Sequence, residues 1–150
     1  MKPYIVLGRY EPKQLTKAWK VGKYLTRLTA KKGLVPHVDP AHGPNKLTKS
    51  WYSDELHAEV HKVTANIESA ESWHYDGDTT PGSKPECALV LWSSDTPTEF
   101  KWHNEIYQPE PYEVVIARNL ECLHRRPANC PRKRWLFRQR VTVPTHMILP

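Results

Sequence analysis

Short apolar runs dominate the C-terminal half of the chain, and turns that contain proline and aspartate separate them. Cys87–Trp92 (CALVLW) is apolar throughout, which is typical of a strand buried on both faces. Thr98–Trp102 and Tyr112–Ala117 are rich in β-branched and aromatic residues, which favour strands. In residues 134–141 the arginines share one face of a strand and bulky residues share the other. These patterns predict a mostly β C-terminal half.

The N-terminal half begins with a helical pattern. Pro12–Lys31 repeats apolar and basic positions every three or four residues and stops before Gly33, which predicts a helix. Its basic face is either an ordinary solvated face or a stripe that contacts phosphates. The basic residues of this face are Lys13, Lys17, Lys20, Lys23, Arg27 and Lys31.

Three further segments complete the N-terminal half. Tyr4–Leu7 predicts a short strand, and Leu34–Trp51, which is rich in proline, glycine and lysine, predicts irregular structure. Apolar residues recur in steps of four, three and four from Leu56 to Ile67, which predicts a second helix. Ser53 is a suitable N-cap for it. We therefore expect flanking α-helices beside a β core.

Composition and charge narrow the class of protein. The 150 residues fit one domain, with a helical and irregular N-terminal half of about residues 1–70 packed on a core of about residues 71–145. A net charge of +6 and a pI of about 9.3 favour an anionic partner such as a nucleotide or a nucleic acid. Three cysteines fit a reduced, cytoplasmic protein, and no run predicts a signal peptide or a membrane span.

One spacing of histidine and aspartate indicates metal chemistry. In His74-Tyr75-Asp76, the alternation of a β-strand puts His74 and Asp76 on the same face. His124 lies 48 residues beyond Asp76, which leaves room for several strands to run out and back. Two histidines and one carboxylate can fill one face of Fe(II) and leave the other face open for substrate and oxygen. These three residues are therefore candidate iron ligands.

Other histidines and cysteines give weaker patterns. His37-Val38-Asp39 has the same spacing, but prolines flank it on both sides, so we interpret it as a loop. His57 and His61 lack the glutamate that a zinc-protease helix needs directly after the first histidine. A structural zinc site usually has four ligands in closely spaced pairs, and the cysteines around His124 are irregularly spaced. The possible zinc ligands are Cys87, Cys122, His124 and Cys130.

The segment from Trp73 to Val143 resembles the Fe(II)/2-oxoglutarate-dependent dioxygenases, over about half of the chain. The resemblance implies a double-stranded β-helix (jelly-roll, cupin-like) core. It also implies that His74, Asp76 and His124 hold the iron. The matching segments are WHYDGD at 73–78, ALVLWSSDTPTEF at 88–100, YQPEPYEVVIARN at 107–119, ECLHRRP at 121–127 and RWLFRQRVTV at 134–143.

The same resemblance implies a cosubstrate site on the last strand. Arg134 stands ten positions after His124, where the family has a basic residue that pairs with the distal carboxylate of 2-oxoglutarate. Arg138 is the next candidate for that role, or for contact with the substrate. An arginine fork suits a carboxylate because it donates two parallel, charge-assisted hydrogen bonds. Trp92 is a candidate wall of the substrate pocket.

The resemblance thus implies an oxygenase that uses Fe(II), 2-oxoglutarate and O2 and hydroxylates a C–H bond. The sequence leaves the substrate open between a nucleobase, a small amino or organic acid and a protein side chain. Two alternatives also stay open. The first is a non-oxygenase cupin-like metal protein, which has no use for Arg134. The second is a basic nucleic-acid-binding domain with a structural zinc ion.

Overall fold

The computed structural model describes residues 2–14, 17–37, 50–63, 72–74, 87–117, 122–127, 134–143 and 147. These residues form ten strands and one helix, and all pairings between the strands are antiparallel. The expected mostly β class is confirmed. The elements are β1 (Tyr4–Arg9), α1 (Ala18–Lys31), β2 (Val35–Pro36), β3 (Trp51–Ser53), β4 (Ala58–Val63), β5 (Cys87–Ser93), β6 (Glu99–Trp102), β7 (Glu105–Tyr107), β8 (Glu113–Ala117), β9 (Leu123–Arg125) and β10 (Arg134–Thr142).

The strands form two sheets. The large sheet has the order β1-β8-β5-β10-β4-β3, and β2 pairs with the C-terminal end of β10. The small sheet has the order β7-β6-β9. An isolated antiparallel bridge between His74 and His124 adds the segment 72–74 to the small sheet beside β9. Strands from both halves of the chain therefore belong to one large sheet.

The large sheet has an apolar core on each face. On one face, α1 packs against residues such as Val90 and Phe137. On the other face, Phe100 and its neighbours in the small sheet pack against Leu89 and Leu91. Because β5 contributes alternate residues to both cores, its sequence is apolar throughout. The prediction for this strand is confirmed.

The helix α1 begins later than its sequence pattern predicts. It starts at Ala18 rather than near Pro12, and Lys17 has an extended backbone and makes no side-chain cap. Its buried side faces the sheet, and Gly22 lies directly under the ring of Trp51. A Cβ atom on Gly22 would lie 2.3 Å from Trp51 Cε3, so only glycine permits this close approach. The chain leaves the helix through Gly33, which has a φ of +80°.

The predicted second helix is wrong. Instead of a helix from Ser53, the structure has a hairpin in which β3 and β4 pair across the turn 54–57. Ser53 still accepts a hydrogen bond from the backbone N–H of Leu56, but this bond closes the turn. In β4, Ala58 and Val60 are buried. The intervening Glu59 points to the other face of the sheet, as expected when successive side chains of a strand alternate between faces.

No helix among the described ranges is both long and apolar enough to cross a membrane.

Candidate metal centre

His74 and His124 are brought together by the pairing of two backbone segments. Each donates its backbone N–H to the carbonyl oxygen of the other, at 3.0 Å in both directions. Their imidazole rings lie with centroids 4.6 Å apart. His124 is buried and also contacts the ring of Phe100, the residue opposite it on β6. The structure therefore places two of the three predicted ligands side by side on the small sheet.

The same ring nitrogen of each histidine meets a backbone carbonyl. His74 Nδ1 lies 2.6 Å from the carbonyl oxygen of Ser72, and His124 Nδ1 lies 3.1 Å from that of Cys122. A carbonyl oxygen only accepts hydrogen bonds, so Nδ1 carries the proton in both rings. In a neutral imidazole, Nε2 then keeps its lone pair. Carbonyl-bound Nδ1 atoms of this kind orient the histidines of metal sites.

The predicted third ligand, Asp76, lies outside the described residues. Within the part of the chain that the structure describes, no group of three or more His, Cys, Asp or Glu side chains is placed to hold a metal ion. The other His-x-Asp sequence, His37-Val38-Asp39, begins directly after β2. His37 donates its backbone N–H to Arg140 and its Nδ1 lies 3.2 Å from Thr142 Oγ1, so it belongs to the large sheet. Asp39 also lies outside the described residues.

Arg134 is a buried cation at the start of β10. Only 1% of the residue is exposed, and its side chain lies on the face of the large sheet that the small sheet covers. Its Nε donates to Ser93 Oγ at 2.9 Å and its Nη2 contacts Thr98 Oγ1 at 3.4 Å. Thr98 directly precedes β6, the strand that pairs with β9 and so with His124. The guanidinium group therefore links the large sheet to the small sheet that carries the histidines.

A small pocket lies between the two sheets. Its lining includes both hydroxyl residues that Arg134 contacts, and it has about 10 Å³ of room, roughly one water molecule. A larger ligand therefore needs side chains there to move. The lining residues from the strands are Leu91, Trp92, Ser93, Phe100, Glu113, Val115 and Leu136, and Pro97, Thr98 and Pro109 complete the lining.

Arg138 and Trp92, the other two predicted site residues, belong to β10 and β5 of the large sheet. Arg138 shares a face with Arg134, but its Nη1 contacts Glu59 Oε1 at 3.1 Å across β10 and β4. Trp92 is buried in the core beneath α1, on the opposite face of β5 from Leu91. Its indole nitrogen donates to the carbonyl oxygen of Tyr10 at 2.9 Å. Trp92 is also among the residues that line the small pocket between the sheets.

Trp73 and Arg125, the neighbours of the two histidines, form a second link between the same segments. The Arg125 guanidinium lies 4.3 Å from the centroid of the Trp73 ring, within cation–π range. It also forms a salt bridge of 3.2 Å to Glu99 on β6. In the sequence, Arg125 is one of the basic residues beside His124 that suggest an anionic substrate. Its contact with Trp73 joins distant segments and is not visible in the local sequence.

Cys122 is a core residue. Its Sγ lies 3.6 Å from the carbonyl oxygen of Lys101, and the residue is almost fully buried. Burial raises the pKa of its thiol to about 11, which keeps the sulfur protonated at neutral pH. Zinc binds the thiolate form of cysteine, so this environment favours a packing role. The other possible cysteine ligands, Cys130 and the side chain of Cys87, lie outside the described part of the chain.

Comparisons of the chain with protein-family models, with curated proteins and with solved structures found no match in any of the three.

Proposed function

We propose that this protein is an Fe(II)- and 2-oxoglutarate-dependent oxygenase whose metal ligands are His74, Asp76 and His124. The observation that carries the proposal is the paired backbone of His74 and His124, with ring centroids 4.6 Å apart and each Nδ1 bonded to a carbonyl. Imidazoles oriented through Nδ1 in this way can present Nε2 to a divalent metal. Asp76 follows His74 by two residues, so a continued strand would present its carboxylate on the same face.

The order of the strands supports a jelly-roll core. From β4 onward, the chain alternates between the sheets: β4 lies in the large sheet, His74 in the small one and β5 in the large one. It then passes to β6 and β7 in the small sheet, β8 in the large, β9 in the small and β10 in the large. Seven strands and the bridged segment 72–74, shared between two antiparallel sheets in this order, support the proposal of a double-sheet jelly roll, which has eight strands.

In the proposed enzyme, His74, Asp76 and His124 would hold the iron ion and Arg134 would hold the keto acid. Iron with 2-oxoglutarate and O2 would supply the oxidising chemistry: one oxygen atom of O2 would enter succinate as the keto acid loses CO2, and the other would enter the C–H bond that is hydroxylated. The Arg134 guanidinium would bind the distal carboxylate of 2-oxoglutarate, assisted by the hydroxyls of Ser93 and Thr98. The apolar lining between the sheets, which includes Leu91 and Phe100, would exclude water.

Arg138 is the second candidate for contact with a carboxylate. It lies four residues along the same strand face as Arg134 and pairs with Glu59. We assign the distal carboxylate to Arg134 because it stands ten positions after His124 and contacts Thr98, which precedes β6 of the small sheet. We expect Arg138 nearer to the substrate.

The experiment is an anaerobic titration of the protein with Fe(II) and then 2-oxoglutarate, monitored by visible absorption. An oxygenase of this class gives a weak metal-to-ligand charge-transfer band that requires both additions. A cupin-like metal protein would bind Fe(II) without the band, and a zinc-dependent nucleic-acid-binding domain would give neither result. Either of these two outcomes would overturn the proposal.

Succinate formation gives an independent measure of turnover. It should be followed with nucleotides, oligonucleotides, small amino and organic acids, and peptides as candidate substrates. A substrate of the enzyme should increase succinate formation above the slow uncoupled rate, and this increase should be lost in the His74→Ala variant.

A further inference from the structure

The positive charge of the chain is concentrated in one segment. Between Pro12 and Val38 there are seven basic residues and no acidic residue. The whole chain has 22 Lys and Arg and 16 Asp and Glu, so the remainder has 15 basic and 16 acidic residues. The net charge of +6 therefore comes from this segment alone. Its basic residues are Lys13, Lys17, Lys20, Lys23, Arg27, Lys31 and Lys32.

The helix α1 presents this charge as a narrow stripe between two aromatic side chains. At 100° per residue, the four basic residues of the helix cover one side of its exposed face. Trp19 flanks the stripe on one side and Tyr24 on the other, and these residues are 45% and 47% exposed. The Nζ atoms of Lys20 and Lys23 lie 5.7 and 5.2 Å from the Trp19 ring centroid. Tyr24 stacks on Tyr10 with centroids 4.0 Å apart.

We propose that this exposed face of α1 is a docking surface for single-stranded nucleic acid. Cations in a row match the charge of a phosphate backbone, and exposed aromatic rings beside them can stack on unpaired bases. Duplex DNA keeps its bases stacked inside and offers only its backbone to such rings. The proposal is carried by the charge distribution and by the two exposed aromatic residues together. The surface is defined by Trp19, Lys20, Lys23, Tyr24, Arg27 and Lys31.

The structure favours nucleic acid over a lipid surface as the occupant. A helix that lies in a membrane interface inserts an apolar face. The apolar face of α1, including Val21 and Leu25, is instead buried against the large sheet. Only the charged and aromatic face remains exposed, and it suits a partner that is charged along its length.

This docking surface is separate from the candidate metal centre. The helix covers one face of the large sheet and the small sheet with His124 covers the other. Arg125 lies with the small sheet, so the cations beside His124 are not part of the α1 stripe. The inference therefore does not rest on the proposed oxygenase function, and its test is made without added metal.

The first test measures binding of a labelled oligothymidylate of about 20 nucleotides by fluorescence anisotropy at several salt concentrations. Four contacts to single-stranded phosphates give a slope of log affinity against log salt of about −3, or about 50-fold weaker binding at 200 mM than at 50 mM salt. In Lys20→Glu/Lys23→Glu, the magnitude of the slope should fall by about 1.4. The control, Lys2→Glu/Lys101→Glu, has the same change in charge on the side of the large sheet opposite α1, where Lys101 belongs to β6 of the small sheet, and should leave the slope unchanged.

The second test separates stacking from charge. Trp19→Ala should weaken binding of the oligothymidylate about tenfold, because a stacked base is lost, and should leave binding of a duplex of equal length nearly unchanged. Trp19→Phe should recover much of the lost affinity. Because Trp19 is almost half exposed, neither substitution empties the core.

Four results would overturn the proposal. They are no oligothymidylate binding at 50 mM salt, equal loss of affinity in the control variant, no effect of Trp19→Ala on single-strand binding, or binding only to phosphatidylserine vesicles. The His74→Ala variant should still bind the oligothymidylate, because the docking surface on α1 is separate from the candidate metal centre. Loss of binding in this variant would show that the two are not separate.

Discussion

At the scale of single residues, Arg134 is held in a way that suits a carboxylate. Its guanidinium is buried, and the contacts to Ser93 and Thr98 fix the orientation of its planar fork. A guanidinium group held in this orientation can donate two parallel, charge-assisted hydrogen bonds to a carboxylate. This is why the proposal assigns the distal carboxylate of 2-oxoglutarate to Arg134.

We expect Arg134→Lys to raise the 2-oxoglutarate requirement much more than it changes metal affinity. A lysine keeps the charge but loses the bidentate fork. Arg134→Ala removes the contact completely and should weaken 2-oxoglutarate binding more, by about 2–5 kcal/mol, or roughly 30-fold to several thousand-fold in affinity. The measurement is the 2-oxoglutarate dependence of the charge-transfer band. An unchanged requirement, with a large effect of Arg138→Ala instead, would move the role to Arg138.

Cys122 gives a prediction about alkaline pH. Burial raises its pKa from 9.0 to about 11, so the folded protein holds this proton more tightly than the unfolded chain. Its contribution to stability is therefore complete below pH 9 and is lost as the pH rises towards 11. The difference in the free energy of unfolding between wild type and Cys122→Ala, measured by urea denaturation, should shrink over this interval. A difference that stays constant from pH 8 to pH 11 would contradict the assignment.

At the scale of elements, the Trp73–Arg125 contact ties the segment of His74 to β9. The cation–π contact and the salt bridge to Glu99 lie beside the two histidines and outside the ligand set. We expect Arg125→Ala to weaken Mn(II) binding by about 10- to 100-fold, the range for residues that support metal ligands. Arg9→Ala is a matched control, because Arg9 also has a carboxylate partner and an aromatic ring, those of Glu11 and Tyr112.

Isothermal titration with Mn(II) measures the effect, and thermal unfolding of the apoprotein shows whether the fold is retained. Equal metal affinity in the Arg125→Ala and Arg9→Ala variants would show that the contact does not support the ligands.

The packing of α1 predicts that a glycine-to-alanine substitution within the helix lowers the free energy of unfolding instead of raising it. Alanine is normally preferred over glycine within a helix by about 1 kcal/mol. At Gly22, the added Cβ would meet the Trp51 ring at 2.3 Å, and overpacking of this kind costs about 1–3 kcal/mol. Gly22→Ala should therefore destabilise the wild type and stabilise the Trp51→Ala variant. Urea denaturation of the four proteins measures both effects, and stabilisation in both backgrounds would contradict the close packing.

The elements also show which parts of the fold the sequence could predict. The strand β5 was predictable because burial on both faces leaves a continuous apolar run. The hairpin of β3 and β4 was missed, because apolar residues at Leu56, Val60 and Val63 match helical spacing. Tertiary contacts make this segment a strand instead of a helix, because Val60 packs under α1 and pairs with Phe137 of β10. Pairing with distant strands is not visible in a local pattern.

At the scale of the whole molecule, the candidate site depends on contacts between distant parts of the chain. The resemblance predicted His74 and His124 as partners, but local sequence could not predict the bridge between them or the hydroxyls that hold Arg134. The charge asymmetry could be predicted from the sequence, because the basic residues of Pro12–Lys31 stand together and the rest of the chain is almost neutral. The structure separates this charge from the histidines by placing α1 and the small sheet on opposite faces of one sheet.

The most direct test of the central claim is Mn(II) binding, measured by isothermal titration, to two matched pairs of variants. The pairs are His74→Ala and Asp76→Ala, and His37→Ala and Asp39→Ala, which have the same residue types at the same spacing. We predict that each member of the first pair strongly weakens or abolishes binding, while each member of the second pair binds as tightly as the wild type. Loss of binding in the second pair with retention in the first would contradict the proposed metal centre.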